Sequence, residues 1–284
     1  KASPSSPQEK LTAVMRYDTE KETKEIILPF SSDTFTSLTC SSDGKRLFYI
    51  QKYENRSANM MVYDIENHRK SSASQAIYWN VSDLFFHPRK AFLYFSKGQA
   101  ESGPHGIDLF RMPVNGLFVG EEEPVLQAPG RTTFMPVVSP DCEKMAFVHF
   151  SGNSWSYDQE LWVGKLNDAG SAVYDIQRLS SDGHTDFNSR FSPDSRYLYR
   201  FIQEMSKSCR IKKIDLETMV SRDIFTIDNE IERNVAISPS GYLAFSLMGT
   251  DKNRVIMIID SNGKKRHTLK DNGLDFHTPC FTSR

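Results

Sequence analysis

Imidazole and carboxylate groups crowd two short stretches of the chain. Asp182, His184 and Asp186 stand in one run, and Asp275 and His277 in another near the C-terminus. These are ordinary ligands of a divalent metal, so His184, Asp186 and His277 form a candidate metal set if the fold brings the two stretches together. A metal held there would polarise a carbonyl or activate a water. The alternative is a pair of solvated polar loops that calls for no cofactor. A second group of residues points to recognition instead. Trp79, Trp155 and Tyr157 lie among polar residues, as do Arg131 and Arg233, and aromatic and arginine side chains are the usual anchors of protein and peptide binding. Nucleophilic catalysis has little to stand on. The chain has no Gly-x-Ser-x-Gly elbow, and Cys40, Cys142, Cys209 and Cys280 show no CxxC spacing for zinc or redox chemistry.

A repeat must position these residues. Ser192-Pro193-Asp194-Ser195, followed by the apolar run from Tyr197, has earlier copies at Ser41-Ser42-Asp43-Gly44, His87-Pro88-Arg89-Lys90 and Ser139-Pro140-Asp141-Cys142. A later copy is Ser238-Pro239-Ser240-Gly241, and a sixth begins at Phe281-Thr282-Ser283-Arg284. The interval is roughly 44 to 53 residues, which belongs to solenoids and propellers. Where they occur, Pro presets φ, Asp bonds its own backbone and Gly tolerates positive φ, so the chain turns between two strands. Asp43, Asp141 and Asp194 are therefore expected to form turns rather than act as acids.

The second half of each unit is a hairpin, as in Met60-Met61-Val62-Tyr63-Asp64, Arg210-Ile211-Lys212-Lys213-Ile214-Asp215 and Arg254-Val255-Ile256-Met257-Ile258. Each unit thus has four strands, a to d, with the Ser-Pro-Asp turn between a and b. The pattern predicts blades over roughly 36–70, 81–127, 134–179, 187–226 and 233–269. A lone strand a at 277–281 remains, together with a hairpin near 11–28. Joined in one blade, these close the ring and remove exposed sheet edges. The expectation is an all-β, six-bladed β-propeller over 11–284, closed by an N-terminal hairpin pairing with the C-terminal strand, behind a flexible tail at 1–10. Arg284 falls inside the last turn, so either the sixth blade lacks a strand b or the natural chain continues. Within this frame Asp83, Asn188, Asn234 and Thr278 share one position, six residues before each turn anchor and near the channel, where they line a solvated channel or, alternatively, order water or coordinate a small ligand. Trp162 occupies the slot of Phe110 and belongs to the core between blades.

Lys and Arg number 35 against 36 Asp and Glu, a formal net charge of −1. That balance argues against nucleic acid as a main partner. No apolar run is long enough to cross a bilayer, which predicts a chain with no transmembrane segment, working as a monomeric domain. The start at Lys1 and the Ser- and Pro-rich residues after it fit a periplasmic or secreted protein whose signal peptide has been removed, while the sequons at Asn55 and Asn80 are short patterns that arise often by chance. The four cysteines read first as structural thiols; the alternative is one bridge, since Cys40 and Cys280 fall in corresponding strands of the first and last units, which a closed ring makes neighbours.

The repeats resemble those of TolB-like propellers, whose blade motif is Ser-Pro-Asp-Gly-Lys/Arg before an apolar strand. They are also similar to the propeller domains of prolyl oligopeptidase and dipeptidyl peptidase-like proteins. The resemblance implies a ring whose d–a connections and b–c loops surround the channel mouth on one face. Trp79, Trp155, Tyr157, Arg131 and Arg233 would meet a protein or peptide there, in a non-catalytic binding or scaffold role. Two alternatives stay open. Likeness to propeller-shaped polysaccharide lyases and lactonases implies a metal-assisted enzyme with a channel-mouth site, and likeness to the peptidases implies the propeller part of a longer enzyme.

Overall fold

The computed structural model describes residues 11–281 apart from 54–56, 75–77, 79–80, 99–105, 128–131, 151–158, 205–207, 230, 249–252 and 271–278, and apart from the side chains of 232–234. The repeated turns work as side-chain clasps. The hydroxyls of Ser41 and Ser139 donate to Asp43 and Asp141, each at 2.5 Å, and Ser192 donates to Asp194. Each of these serines also accepts the N–H five residues on, from Arg46 at 3.0 Å and from Lys144 and Tyr197 at 2.9 Å. The carboxylates in turn accept the N–H of Lys45, Glu143 and Arg196. The serine hydroxyls hold Asp43 and Asp194 below the ordinary carboxylate range. In the second unit His87 replaces the serine, and its Nδ1 accepts from Arg89 and Lys90 at 3.1 and 2.9 Å. Burial, helped by the charges of Lys90 and Arg111, pulls the imidazole down to about 4 and keeps it neutral.

These clasps link the first two strands of five antiparallel blades. Before them comes a hairpin, β1 (Thr12–Asp18) and β2 (Thr23–Ser31). Blade one is β3 (Thr34–Cys40), β4 (Arg46–Lys52), β5 (Ala58–Asp64) and β6 (Arg69–Ser72). Blade two is β7 (Val81–Phe86), β8 (Phe92–Gly98) and β9 (Ile107–Asn115), with β10 (Phe118–Val119) and β11 (Glu123–Leu126) both paired to β9. Blade three is β12 (Thr132–Val138), β13 (Lys144–Phe150), β14 (Glu160–Leu166) and β15 (Val173–Arg178). Blade four is β16 (Thr185–Phe191), β17 (Tyr197–Gln203), β18 (Cys209–Asp215) and β19 (Ser221–Ile227). Blade five is β20 (Ile231–Ile237), β21 (Leu243–Met248), β22 (Arg254–Ile259) and β23 (Lys265–Leu269).

The expected count of six blades is corrected to five among the described residues. The N-terminal hairpin is present, but it pairs with no other strand there, and Cys280 and Phe281 are not in a strand. Both chain ends nevertheless pack onto blades. Val14, Ile27 and Leu28 join Phe35, Leu47 and Tyr49 of blade one, with Cys40 and Cys280 at the margin. Phe281 lies against Ala244, Ile256 and Ile258 of blade five. Tyr17 in β1 and His267 in β23 are 3.1 Å apart, hydroxyl to Nε2.

The core is a set of apolar seams between blades. Ile50 and Met60 meet Leu93 and Phe95 between blades one and two, and Tyr94 and Leu109 meet Met145 and Phe147 between two and three. Half-buried Trp162 packs on this second seam, edge-on to His149 with ring centroids 5.5 Å apart. Polar hooks cross the seams as well. The Tyr94 hydroxyl donates to Gly170 O at 2.7 Å, tying blade two to the outer hairpin of blade three.

Every inner strand whose side chains are described is broken by a bulge at one shared position. Ser37, Asp83, Met135 and Asn188 have φ of 52°, 58°, 58° and 52°, and the pairing to the next strand slips there in each blade. Such a kink frees a backbone N–H that must find a partner. Asp83 N–H donates to Ser37 Oγ and Met135 N–H to Ser96 Oγ, both at 3.1 Å, while Asn188 N–H points at Met135 Sδ, 3.0 Å away. In each case the acceptor belongs to the preceding blade.

Gly263, at φ 84° in the outer turn of blade five, docks against blade four so closely that a Cβ would lie 1.7 Å from Ile224 O. Gly263→Ala is therefore expected to destabilise the fold by about 3 kcal/mol or more, because backbone must move. Gly116, at φ 62° with nothing within 4 Å, is the control; its Ala variant should pay only the left-handed penalty of about 1 kcal/mol. Urea denaturation of both variants gives the comparison, and equal losses would mean that the close approach has no consequence.

Candidate functional site

Inner strand β16 carries two of the residues that composition and spacing single out, Asp186 and Asn188, and His184 stands just before it. Asp186 points into the blade, where it is 1 % exposed. Its Oδ1 accepts Arg200 Nε, and its Oδ2 accepts Ser180 Oγ, Leu161 N–H at 3.1 Å and Arg200 Nη2 at 3.1 Å. Arg200 spends its remaining donors on Asp182, with Nη1 at 2.8 Å and Nη2 at 2.6 Å from the carboxylate oxygens. One buried guanidinium is thus clamped between two carboxylates. The hydrogen bonds from Arg200 pull Asp182 down to about 2, while burial pushes Asp186 above its ordinary value against the pull of the same guanidinium. Asp186 is ionised in this arrangement, since every hydrogen bond to it is donated by another group.

His184, two residues earlier, faces elsewhere: its Nε2 is 3.3 Å from Arg210 Nη2, within a cluster that also holds Glu204 and Ser208. The structure therefore gives His184 and Asp186 different arginine neighbours. His277 lies outside the described residues, and among those residues no group of three or more His, Cys, Asp or Glu is spaced to hold a metal.

Asp83 and Asn188 both sit at the bulge of the inner strand, where their backbone N–H groups connect blades. Asn234 is in β20, with its side chain outside the described residues. The residue that sequence reasoning missed is Arg190. Its Nη1 donates to Asn188 Oδ1 and, at 2.7 Å, to Ser189 O. Burial pulls its pKa down to about 10, and the charge of Asp83 acts in the opposite direction. Asp83 belongs to blade two and Arg190 to blade four, so the two charges act on each other from blades that do not adjoin in the chain. Among the described residues no carboxylate lies within ion-pair distance of Arg190. Phe85 packs on both the second–third and third–fourth seams.

Arg190 could have been noticed in the sequence. Counting from the turn anchors, its slot holds Thr39, Phe85, Val137 and Ala236 in the other blades. Arg200 likewise stands where blades one to three have Tyr49, Phe95 and Phe147. A charge in an otherwise uncharged slot was the available signal. Trp79, Trp155, Tyr157 and Arg131 lie outside the described residues, as does the side chain of Arg233.

Comparison with solved structures identifies the architecture. TolB from Acinetobacter baumannii superposes with a TM-score of 0.74 at 14% identity, over 94% of this chain and 62% of that one. A putative TolB from Agrobacterium tumefaciens gives 0.66 at 14% identity, over 90% of this chain and 88% of that one. A prolyl endopeptidase gives 0.59 at 14% identity, over 94% of this chain and 40% of that one. The likeness is one of fold, the β-propeller arrangement, and the chain spans under two thirds of the length of the first and third of these proteins. No family model matches the sequence, and no curated protein sequence matches it.

Proposed function

We propose that this protein is a non-catalytic β-propeller module, periplasmic or secreted, that holds a protein or peptide partner across its d–a and b–c loop face. The observation that carries this reading is Arg190. Arg190 is half-buried, and a carboxylate on the partner would supply its counter-charge through two parallel hydrogen bonds. Trp79, Trp155, Tyr157, Arg131 and Arg233 would form the contact area around that anchor, with Asp83, Asn188 and Asn234 ringing the channel. Closure is part of the same proposal: the hairpin β1–β2 and the C-terminal run bring blades one and five together. The contact of Tyr17 with His267 and the packing of both chain ends on blades one and five support it.

Screening an array of short peptides in acidic and amidated forms tests the reading. Peptides with a free carboxylate are expected to bind, and Arg190→Gln should weaken them by about 1.5–3 kcal/mol, the worth of a charge-assisted hydrogen bond, without lowering the melting temperature. Trp79→Ala and Trp155→Ala should cost about 2 kcal/mol of binding each if they are hot spots. Binding unchanged in Arg190→Gln, or a stoichiometric divalent ion lost on His184→Ala and His277→Ala, would remove the reading.

A second reading, the propeller part of a larger peptidase, is favoured by the superposition on 40% of a prolyl endopeptidase. The reading frame around this sequence decides it: a Gly-x-Ser-x-Gly elbow in an adjoining α/β domain supports it, and its absence there removes it.

A further inference from the structure

Cys40 closes inner strand β3 of blade one, and Cys280 lies near the other end of the chain, 240 residues away, yet their sulfurs are 3.2 Å apart. Both side chains are partly exposed, at the edge of the apolar cluster that holds Phe35, Leu47 and Tyr49. We propose that Cys40 and Cys280 are an oxidisable pair that a disulfide-bearing oxidant converts into a covalent tie between blade one and the C-terminal run. The remaining thiols offer no competing bridge. Cys209 is fully buried, with burial pushing it up to about 12, and Cys142 has His87 Nδ1 at 3.9 Å and no cysteine partner among the described residues.

The pair is also asymmetric in a way that suits the chemistry. The hydrogen bond from Cys40 lowers the Cys280 thiol, while the same contact and burial raise Cys40. On the proposed route Cys280 attacks first, as its thiolate. It bonds to one sulfur of the oxidant, breaking the oxidant's S–S bond and releasing one thiolate. Cys40 then loses its proton to solvent and attacks the Cys280 sulfur of the mixed disulfide, expelling the second thiolate. Two cysteine thiols are oxidised and one oxidant disulfide is reduced to two thiols, so electrons and protons balance. Oxidising compartments, the setting proposed above, supply such oxidants.

The consequence is mechanical, because the bridge restrains a loop of 240 residues. Long closed loops are those in which a cross-link most restricts the unfolded chain. The proposal does not depend on the binding reading, and its failure would leave the peptide experiment untouched.

The test is to incubate the intact protein with oxidised glutathione, or with dithiothreitol, then unfold it and titrate free thiols. Four thiols are expected after reduction and two after oxidation, with a mass about 2 Da lower and a peptide joining residues 40 and 280 in a digest. The oxidised form should melt about 5 °C or more above the reduced form. Cys40→Ser and Cys280→Ser should each abolish that gap, whereas Cys142→Ser should keep it. Four thiols under both conditions, a link through Cys142 or Cys209, or a bridge between two chains would overturn the proposal. The wild-type digest alone is decisive if a variant fails to fold.

Discussion

Arg200→Ala is expected to cost about 3–5 kcal/mol at neutral pH, enough to unfold a marginal domain, because it leaves Asp186 as a buried charge without its cation. Asp186 would keep Ser180 Oγ and Leu161 N–H, which do not neutralise it. The dependence on pH separates this cause from simple loss of packing. In the variant the stranded carboxyl takes up a proton more readily when folded than when unfolded, so the penalty should shrink as pH falls below neutrality. The wild type should behave differently at lower pH. Asp182, held down to about 2 by Arg200, contributes stability that is fully present above its unfolded value near 4 and is lost as pH falls through about 2. Burial raises Asp186 and gives a trend of the opposite sign, so the acid loss is assigned to Asp182. Urea denaturation of both proteins at several pH values measures this. A variant penalty independent of pH would mean that Arg200 acts through its bulk alone.

Deleting residues 1–29 should leave a chain that aggregates or fails to fold, whereas deleting 1–10 should leave the melting temperature nearly unchanged. The larger deletion removes Val14, Ile27 and Leu28 from the cluster on blade one and takes Tyr17 from His267. Burying each such aliphatic side chain is worth about 1.5–3 kcal/mol, so their joint loss approaches the whole stability of a typical domain. It would also bare the apolar surface of Phe35, Leu47 and Tyr49. Thermal melts and size-exclusion profiles of the two truncations provide the comparison. Equal stability would show that the hairpin is an appendage rather than part of the ring.

The strands and turns were legible because their causes are local. A Ser-x-Asp clasp closes on itself within a few residues, and strand alternation needs only neighbours in sequence. His87 could be aligned as the degenerate copy for the same reason. The count of blades was less accessible, since it depends on what the two chain ends do at a distance. The position six residues before each anchor was visible as a recurrence, but its cause was hidden: Ser37, Asp83, Met135 and Asn188 share a left-handed backbone rather than a chemistry. The clamp of Arg200 on Asp182 and Asp186 escaped because a run of His and Asp reads equally well as metal ligands, and only the partner across the hairpin decides. Arg190 escaped because its slot is not charged in the other blades.

The bulges also set a limit on how such an array of blades can change its size. Duplicating or excising one unit of a repeat array is the simplest way for a gene to alter copy number, and it works when every unit meets its neighbours through the same contacts. Here each junction solves the problem of one freed amide differently, with Ser37 Oγ under Asp83, Ser96 Oγ under Met135 and Met135 Sδ under Asn188. A duplicated blade three would set a Met135 amide above a Met135 thioether, a pairing found at none of these junctions. The blades are homologous in shape yet keyed to their places, so an added or lost copy would have to be followed by compensating changes one blade upstream.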